Sequence, residues 1–250
     1  MTPHASHSWH PSYPSYPSYP SYPSHPSHPE KGSMLLVPLY EHPADRPEVW
    51  ERLIASARRL HSVVLNPASG PGEAPDERFA AVAARLRDAG VPVLGYTDTD
   101  YGRRPHADVV QDLLRHRDWY AADGAFLDQA ASGPELLPHY GRLTIAARAA
   151  GARTLVLNHG VHPHPGYAAL ADLLVTFEGP WDAYRDGSAT PPPWTADHPA
   201  DRFCHLVYAV PPNAPTAELA AERHAGVHCA VPGTGAHPWG SLPYALETAG

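Results

Sequence analysis

Two carboxylate side chains stand where apolar runs of the sequence end, at Asp128 and Glu178. Asp128 closes the string Asp-Gly-Ala-Phe-Leu-Asp, and Glu178 closes the string Leu-Leu-Val-Thr-Phe-Glu. Cleavage of a glycosidic bond needs such a pair, because one carboxylic acid protonates the leaving oxygen while the other acts as base, nucleophile or polarising group. Acids at strand ends also cap helices or pair with arginine, so spacing alone leaves both interpretations open.

From Met34 onward, short apolar runs alternate with amphipathic stretches, a pattern typical of repeated β/α units and a parallel sheet. The apolar runs predict eight strands, at 34–40, 62–66, 91–97, 125–128, 154–158, 173–178, 203–210 and 227–231. The amphipathic stretches predict six helices, at 47–60, 76–89, 105–120, 134–150, 166–171 and 215–225. The Pro-rich stretch 180–200 is expected to form a long loop over the barrel mouth.

Eight strands with intervening helices fit either a closed barrel or an open doubly wound sheet. An open sheet of this kind normally has a Gly-rich phosphate-binding turn after its first strand. Here that position reads Tyr-Glu-His-Pro at 40–43. The sequence therefore predicts a single α/β domain over 33–250, a (β/α)8 TIM-type barrel.

Residues 1–32 have a different composition, with Pro-Ser-Tyr and Pro-Ser-His triplets repeated over 11–28. Such a segment cannot build a core, and its three-residue period is typical of polyproline II. We predict a disordered low-complexity tail that serves as a spacer. The alternatives are an aromatic edge for a polysaccharide or a partner, and weak metal capture by the histidines.

Charge and composition exclude several function classes. The formal net charge is −8 and the arginines are scattered, so no nucleic-acid partner is expected. No run approaches the ~20 apolar residues of a membrane span, so no membrane contact is expected. Cys204 and Cys229 fit neither a metal spacing nor a disulfide scaffold, and they are expected to be buried thiols on neighbouring strands. We expect a monomer.

The N-terminus as written lacks the basic start and apolar run of a signal peptide. This predicts a cytoplasmic protein by default. The alternative is secretion, if the true start of the chain lies elsewhere.

In a (β/α)8 barrel, the site is built at the C-terminal ends of the strands and in the loops that follow them. Acids and amides there suit sugar hydroxyl groups, and Tyr and Trp rings can stack on sugar faces. Asn66 lies in a loop rich in Pro and Gly, where it could instead bond within its own loop. The predicted substrate-binding side chains are Tyr40, Asn66, Tyr96, Asp98, Tyr101, Gln129, Asn158, His159, Trp181 and Trp239.

His159, His162 and His164 form a cluster that resembles a metal site. Barrels that bind metals usually draw ligands from several strands, and no acid accompanies these histidines at a ligand spacing. We therefore predict neither a metal nor a cofactor. His159 is interpreted as a sugar contact, and the other two as solvated loop residues.

Four strings of the chain resemble one known family, the spherulin-4 group (spherulation-specific family 4). They are Val-Pro-Leu-Tyr at 37–40, Asn-Pro-Ala-Ser-Gly-Pro-Gly at 66–72, Gly-Tyr-Thr-Asp-Thr-Asp-Tyr-Gly at 95–102 and Asp-Gly-Ala-Phe-Leu-Asp at 123–128. The resemblance covers about 34–247. Characterised fungal members of the group are similar to glycoside hydrolase family 135 enzymes, which cut α-1,4-linked N-acetylgalactosamine polymers.

The resemblance implies catalytic positions for Asp128 and Glu178. Glu178 is assigned as proton donor, and Asp128 as nucleophile or as the group that polarises a substrate acetamido oxygen, although the two roles could be reversed. Carboxyl groups about 5 Å apart would favour retention of configuration, and a separation of about 6.5–9.5 Å would favour inversion. The expected function is therefore that of an endo-acting glycoside hydrolase on an amino-sugar polysaccharide.

The chain departs from the family pattern at Gln129, where the family has a Glu beside its Asp. Gln is neutral and can neither donate nor accept a catalytic proton. Successive residues of a strand also point to opposite faces, so Asp128 and Gln129 share a pocket only if the strand ends between them. The alternatives are thus a carbohydrate-binding barrel without turnover, or a His-dependent metal hydrolase or deacetylase.

Overall fold

The computed structural model describes residues 34–247, and the predicted tail at 1–32 lies outside this range. Each strand pairs in parallel with the next one in sequence, and the eighth pairs with the first. The strands are β1 (Met34–Val37), β2 (Leu60–Leu65), β3 (Val93–Asp98), β4 (Gly124–Asp128), β5 (Thr154–Asn158), β6 (Leu173–Pro180), β7 (Phe203–Tyr208) and β8 (Val227–Ala230). This closed parallel barrel confirms the predicted fold class.

Most crossovers between strands carry an α-helix. The helices are α1 (Pro47–Ala55), α2 (Glu77–Asp88), α3 (His106–Tyr120), α4 (Leu137–Ala149), α5 (Trp181–Arg185), α6 (Thr216–Glu222) and α7 (Tyr244–Glu247). None of the helices within 34–247 is long and apolar enough to cross a bilayer.

Helix α2 shows how local sequence produces these elements. The Asp76 side chain accepts hydrogen bonds from the backbone N–H groups of Arg78 and Phe79, and so caps the first turn. The buried face consists of Phe79, Val82, Ala83 and Leu86, at helical spacing. Gly90, at φ +80°, follows the last turn and redirects the chain toward β3.

The strands of the barrel are buried on both faces, as expected of a parallel sheet covered by helices. In β5, for example, all five residues are buried. Cys204 on β7 and Cys229 on β8 are buried free thiols, as the sequence predicted.

Two local predictions were wrong. The stretch 166–171 is not an α-helix: a 3₁₀ helix, Pro165–Ala169, occupies this place. Its backbone bonds join residues three apart, from the N–H of Tyr167 to the carbonyl of His164 and from the N–H of Leu170 to the carbonyl of Tyr167, as in a 3₁₀ helix. The stretch 180–200 is not one long loop, because Pro180 precedes α5 and a 3₁₀ helix begins at Pro193. Proline suits the first positions of a helix, since its missing N–H has no partner there.

Candidate active site

A pocket of about 450 Å³ opens at the C-terminal ends of the strands, within the size range of small-molecule sites. The side chains that line it come from all around the barrel. Eight of the twelve side chains predicted from the sequence contribute: Tyr40, Asn66, Tyr96, Asp128, Gln129, Asn158, Glu178 and Trp239.

The two candidate acids meet through Asn158. Asp128 ends β4, Asn158 ends β5 and Glu178 lies near the end of β6, so three neighbouring strands present them side by side. Nδ2 of Asn158 donates to Oδ1 of Asp128 at 2.6 Å and to Oε2 of Glu178 at 2.5 Å. Both hydrogens of this buried amide are therefore used, one on each carboxyl group.

The carbonyl oxygen of the same amide is also held. Oδ1 of Asn158 accepts a hydrogen bond of 3.2 Å from the backbone N–H of Gly160. The backbone carbonyl of Gly160 in turn accepts from the N–H of Glu178 at 3.0 Å. The orientation of the Asn158 amide is thus fixed at both ends. Since one nitrogen bonds both acids, the two bonded oxygens lie no more than about 5 Å apart.

Burial, together with the nearby charge of Asp128, raises the pKa of Glu178 to about 7. Hydrogen bonds from Asn158 and from the Trp239 side chain oppose this shift, because they favour the charged carboxylate. The balance leaves a carboxyl group that is partly protonated near neutral pH. Such a group can both donate and recover a proton.

Asp128 is held by a second donor, the phenol of Tyr96. The Tyr96 hydroxyl donates to Oδ2 of Asp128 at 2.7 Å, so both carboxylate oxygens accept a hydrogen bond. Burial, followed by the charge of Asp128, raises the pKa of Tyr96 far above its ordinary range, and the phenol stays a donor. Its ring stacks on Phe126, with centroids 6.2 Å apart, which fixes the direction of the hydroxyl.

Gln129 lines the same pocket as Asp128, which a continuous strand would not allow. Strand β4 ends at Asp128, and Gln129 adopts a left-handed φ of +49°. The Thr99 hydroxyl bonds the backbone carbonyls of both residues, each at 2.9 Å, and contacts the buried Tyr140 hydroxyl at 2.8 Å. A non-glycine residue in this conformation is strained by about 1 kcal/mol, so the surroundings must enforce the turn.

Aromatic rings form the opposite wall of the pocket. The ring of Tyr40 lies 5.7 Å from that of His237, and the ring of Tyr208 lies 6.1 Å from that of Trp239. The backbone N–H of Tyr40 donates to the carbonyl of Trp239 at 2.9 Å, which ties the loop after β8 to the segment that follows β1.

Sequence reasoning missed Tyr208 and His237, both of which line the pocket. Tyr208 is the last residue of β7, but the predicted strand ran on to 210. With the strand ending at 208, the rule that site residues lie at strand ends would have found Tyr208. His237 lies in a Gly- and Pro-rich loop, where no pattern singles it out.

Asn66 lines the pocket while also bonding within its own loop. Its side-chain oxygen accepts from the backbone N–H of Gly70 at 2.8 Å. This leaves the amide hydrogens to face a ligand.

Asp98 and Tyr101 lie beyond the pocket lining. The carboxylate of Asp98 accepts from the backbone N–H of Asp100 at 2.7 Å, so it closes its own turn. Tyr101 follows on this loop and is 50% exposed.

His159 and Trp181 also lie outside the lining. The buried His159 ring packs on Tyr167, with centroids 4.7 Å apart, and burial lowers its pKa to about 4, so it is neutral near pH 7. Trp181 begins α5 and packs on Tyr184. Among residues 34–247, no three His, Cys, Asp or Glu side chains converge as metal ligands would.

The chain is thus of the class of (β/α)8 barrels with a carboxylate pair at the mouth, here one acid on β4 and one on β6, joined through Asn158 on β5. Within this class, the model of spherulation-specific family 4 matches residues 34–232. The chain belongs to this family, which confirms the resemblance seen in the sequence.

Three known proteins are similar to the chain, one by sequence and two by structure. Spherulin-4 of Physarum polycephalum is 32% identical over 149 residues, which are 58% of this chain and 44% of that protein, so the match spans less than half the length of that relative. The crystal structure of Aspergillus clavatus Sph3 in complex with GalNAc has a TM-score of 0.74 at 22% identity, covering 86% of this chain and 95% of Sph3.

A tryptophan synthase α-subunit from Pyrococcus furiosus has a TM-score of 0.52 at 16% identity, covering 79% of this chain and 86% of that one. The same barrel therefore occurs in proteins of very different activity. The activity of such a barrel therefore depends on the residues of its site and not on the fold.

Proposed function

We propose that the chain is a glycoside hydrolase that cleaves bonds inside an amino-sugar polysaccharide, with Asp128 and Glu178 as its acid pair. The observation that carries this proposal is the bridge made by Asn158, which bonds both carboxyl groups in one pocket. Holding two partly buried acids side by side costs free energy when both are charged, and the cleavage of a glycosidic bond gives such a pair a use.

Glu178 has the properties of the proton donor. Its pKa of about 7 keeps a large fraction protonated at neutral pH, as protonation of the leaving oxygen requires. Once the proton has left, the same carboxylate can take one from the water that completes hydrolysis. The N–H of Trp239 and the amide of Asn158 then stabilise the charged form.

Asp128 supplies the negative charge that faces the reacting sugar. Hydrogen bonds from Tyr96 and Asn158 hold its two oxygens in a fixed orientation. It acts either as nucleophile or as the group that orients a substrate acetamido for attack on the neighbouring carbon. Both routes retain the anomeric configuration, and the short separation of the two acids agrees with the geometry of retaining enzymes.

The substrate we propose is a polymer that contains N-acetylgalactosamine. GalNAc is the sugar bound to Sph3, which shares this fold. The pocket has the size for a sugar unit, amides and acids on one wall, and the rings of Tyr40, Tyr208 and Trp239 on the other. Acids and amides suit hydroxyl and acetamido groups, and the rings suit the apolar face of a pyranose.

The test is the release of reducing ends from α-1,4-linked N-acetylgalactosamine polymer. The unchanged protein should release them, whereas Asp128→Asn and Glu178→Gln should each lose at least about 100-fold in rate while still binding the polymer. Ile145→Ser, on the exposed face of α4, is the matched control and should keep full activity.

Binding without turnover in the unchanged protein would instead identify a carbohydrate-binding barrel. The observation behind this second candidate is Gln129, an uncharged amide on the pocket wall. Under that outcome, Gln129→Glu should create or restore hydrolysis.

A further inference from the structure

The pocket is too small for a polysaccharide. A volume of about 450 Å³ suits a small ligand, so any longer sugar chain seated there must continue over the rim of the barrel. The rim next to the acid pair is therefore where an outer binding surface is expected.

Among the residues the structure describes, three large apolar side chains are well exposed: Tyr101, Ile145 and Val161. Ile145 lies on α4, in the outer shell of helices. Val161 lies on the loop after β5, but it has no flat ring. Tyr101 combines a flat ring with a place on the rim, because its backbone N–H donates to the carbonyl of the pocket residue Gln129 at 2.8 Å.

The loop that presents Tyr101 is fixed and strained. Asp100, Tyr101 and Gly102 adopt positive φ angles of 44°, 54° and 81° in succession. The bond from Tyr101 to Gln129 and the turn closed by the Asp98 carboxylate hold this conformation. Left-handed residues other than glycine persist only where the surroundings enforce them, and they cluster at ligand-binding sites.

One side of the Tyr101 ring is already occupied by a cation. The guanidinium carbon of Arg103 lies 5.7 Å from the ring centroid, and Asp100 forms an ion pair with the same guanidinium. The Arg103 side chain is itself 70% exposed, and the exposed half of the Tyr101 side chain stays open to solvent. Because the backbone of this loop is held by hydrogen bonds, it loses little entropy when a ligand stacks on the Tyr101 ring.

We propose that Tyr101 is the platform of an outer subsite, which stacks on a sugar unit of the polysaccharide after the chain has left the pocket. The inference rests on the proposed function, since the pocket must hold one part of the same chain. Tyr101 would then make the protein bind long sugar chains more tightly than short ones, because a long chain reaches the ring and a single sugar in the pocket does not.

The experiment measures binding by calorimetry in the Glu178→Gln background, where hydrolysis is blocked. The ligands are free N-acetylgalactosamine and α-1,4-linked oligosaccharides of increasing length. Adding Tyr101→Ala should lower the affinity for the longer ligands by about three- to tenfold, the range of one stacking contact. The affinity for the monosaccharide should not change. Tyr101→Phe keeps the ring and should bind like the parent, as should Ile145→Ser.

Equal affinity of the parent and Tyr101→Ala for every long ligand would overturn the outer subsite and leave the pocket proposal standing. A parent that binds neither the monosaccharide nor any oligosaccharide would overturn both. Thermal unfolding of each variant shows that it is folded. Alanine and tyrosine are similarly disfavoured at this φ, so a binding loss in a folded variant reports the ring.

Discussion

Nδ2 of Asn158 lies 2.6 Å from Oδ1 of Asp128, and the second hydrogen of the same nitrogen is donated to Glu178. A single neutral amide thus bridges the two carboxyl groups, and the charge of Asp128 still raises the pKa of Glu178. The backbone N–H of Gly160 bonds the amide oxygen, so turning the side chain away from either acid would break this bond as well. This arrangement keeps the acid pair at a set distance, while burial and the charge of Asp128 raise the pKa of Glu178 enough for it to hold a proton.

The first prediction concerns Asn158 as a positioning residue. Its hydrogen bond lowers the pKa of Glu178, against the larger effects of burial and of Asp128. Asn158→Ala should therefore raise that pKa, so the loss of activity on the alkaline side should move to higher pH, while kcat falls by about tenfold through lost orientation. The measurement is the pH profile of kcat. A fall in kcat with an unmoved alkaline limb would assign Asn158 a merely structural role.

The second prediction is a gain of stability when the buried acid is neutralised. Glu178 has a pKa of about 7 in the fold, well above that of an exposed Glu. Ionising Glu178 therefore lowers the free energy of unfolding as pH rises from about 4.5 to 7. The whole of this loss is present above pH 7. Below the pKa of Glu178 in the unfolded chain, the loss vanishes. Glu178→Gln should be more stable than the parent by roughly 2–3 kcal/mol at pH 8, and nearly equal to it at pH 4.

Urea denaturation at the two pH values measures this difference. Ile145→Ser, on the exposed face of α4, changes no titrating group and is the control: its difference from the parent should be the same at both pH values. A constant difference between Glu178→Gln and the parent at both pH values would contradict the raised pKa.

The third prediction concerns the donor to Asp128. Tyr96→Phe removes the hydroxyl that bonds Oδ2 and keeps the ring that packs on Phe126. The carboxylate then loses one of its two donors, so polymer cleavage should slow by about tenfold, with little change in ligand affinity. The measurement compares the rate of polymer cleavage and the affinity for the ligand in Tyr96→Phe and in the parent. An equal loss in affinity would show instead that Tyr96 contacts the substrate.

The barrel could be predicted from sequence because its information is local. Apolar strands and amphipathic helices are each visible within a short window, and every predicted strand overlaps an observed one. The short helix α5 was not visible, because its five residues lie in a Pro-rich stretch where helical periodicity cannot develop.

The site was only partly predictable. The rule of strand ends found Asp128, Asn158 and Glu178, since it needs only the position where an apolar run stops. It could not find the bridge between them, because side-chain direction depends on backbone torsion angles that no spacing encodes. Gln129 illustrates the point: its place in the pocket depends on a φ of +49°, enforced by Thr99 from another loop.

The last prediction uses that strained turn. Gln129→Gly should relieve the left-handed strain and stabilise the fold by about 0.5–1 kcal/mol, because glycine accepts this φ freely. The pocket would lose an amide from its wall, so affinity for N-acetylgalactosamine should fall while the protein becomes harder to unfold. Gln129→Ala is the matched control, since it removes the same amide but keeps the strain. Thermal unfolding and calorimetry on both variants separate the two effects. If both variants bind N-acetylgalactosamine as tightly as the parent, Gln129 shapes the turn without touching the ligand. If Gln129→Gly is no more stable than the parent, the turn is not strained.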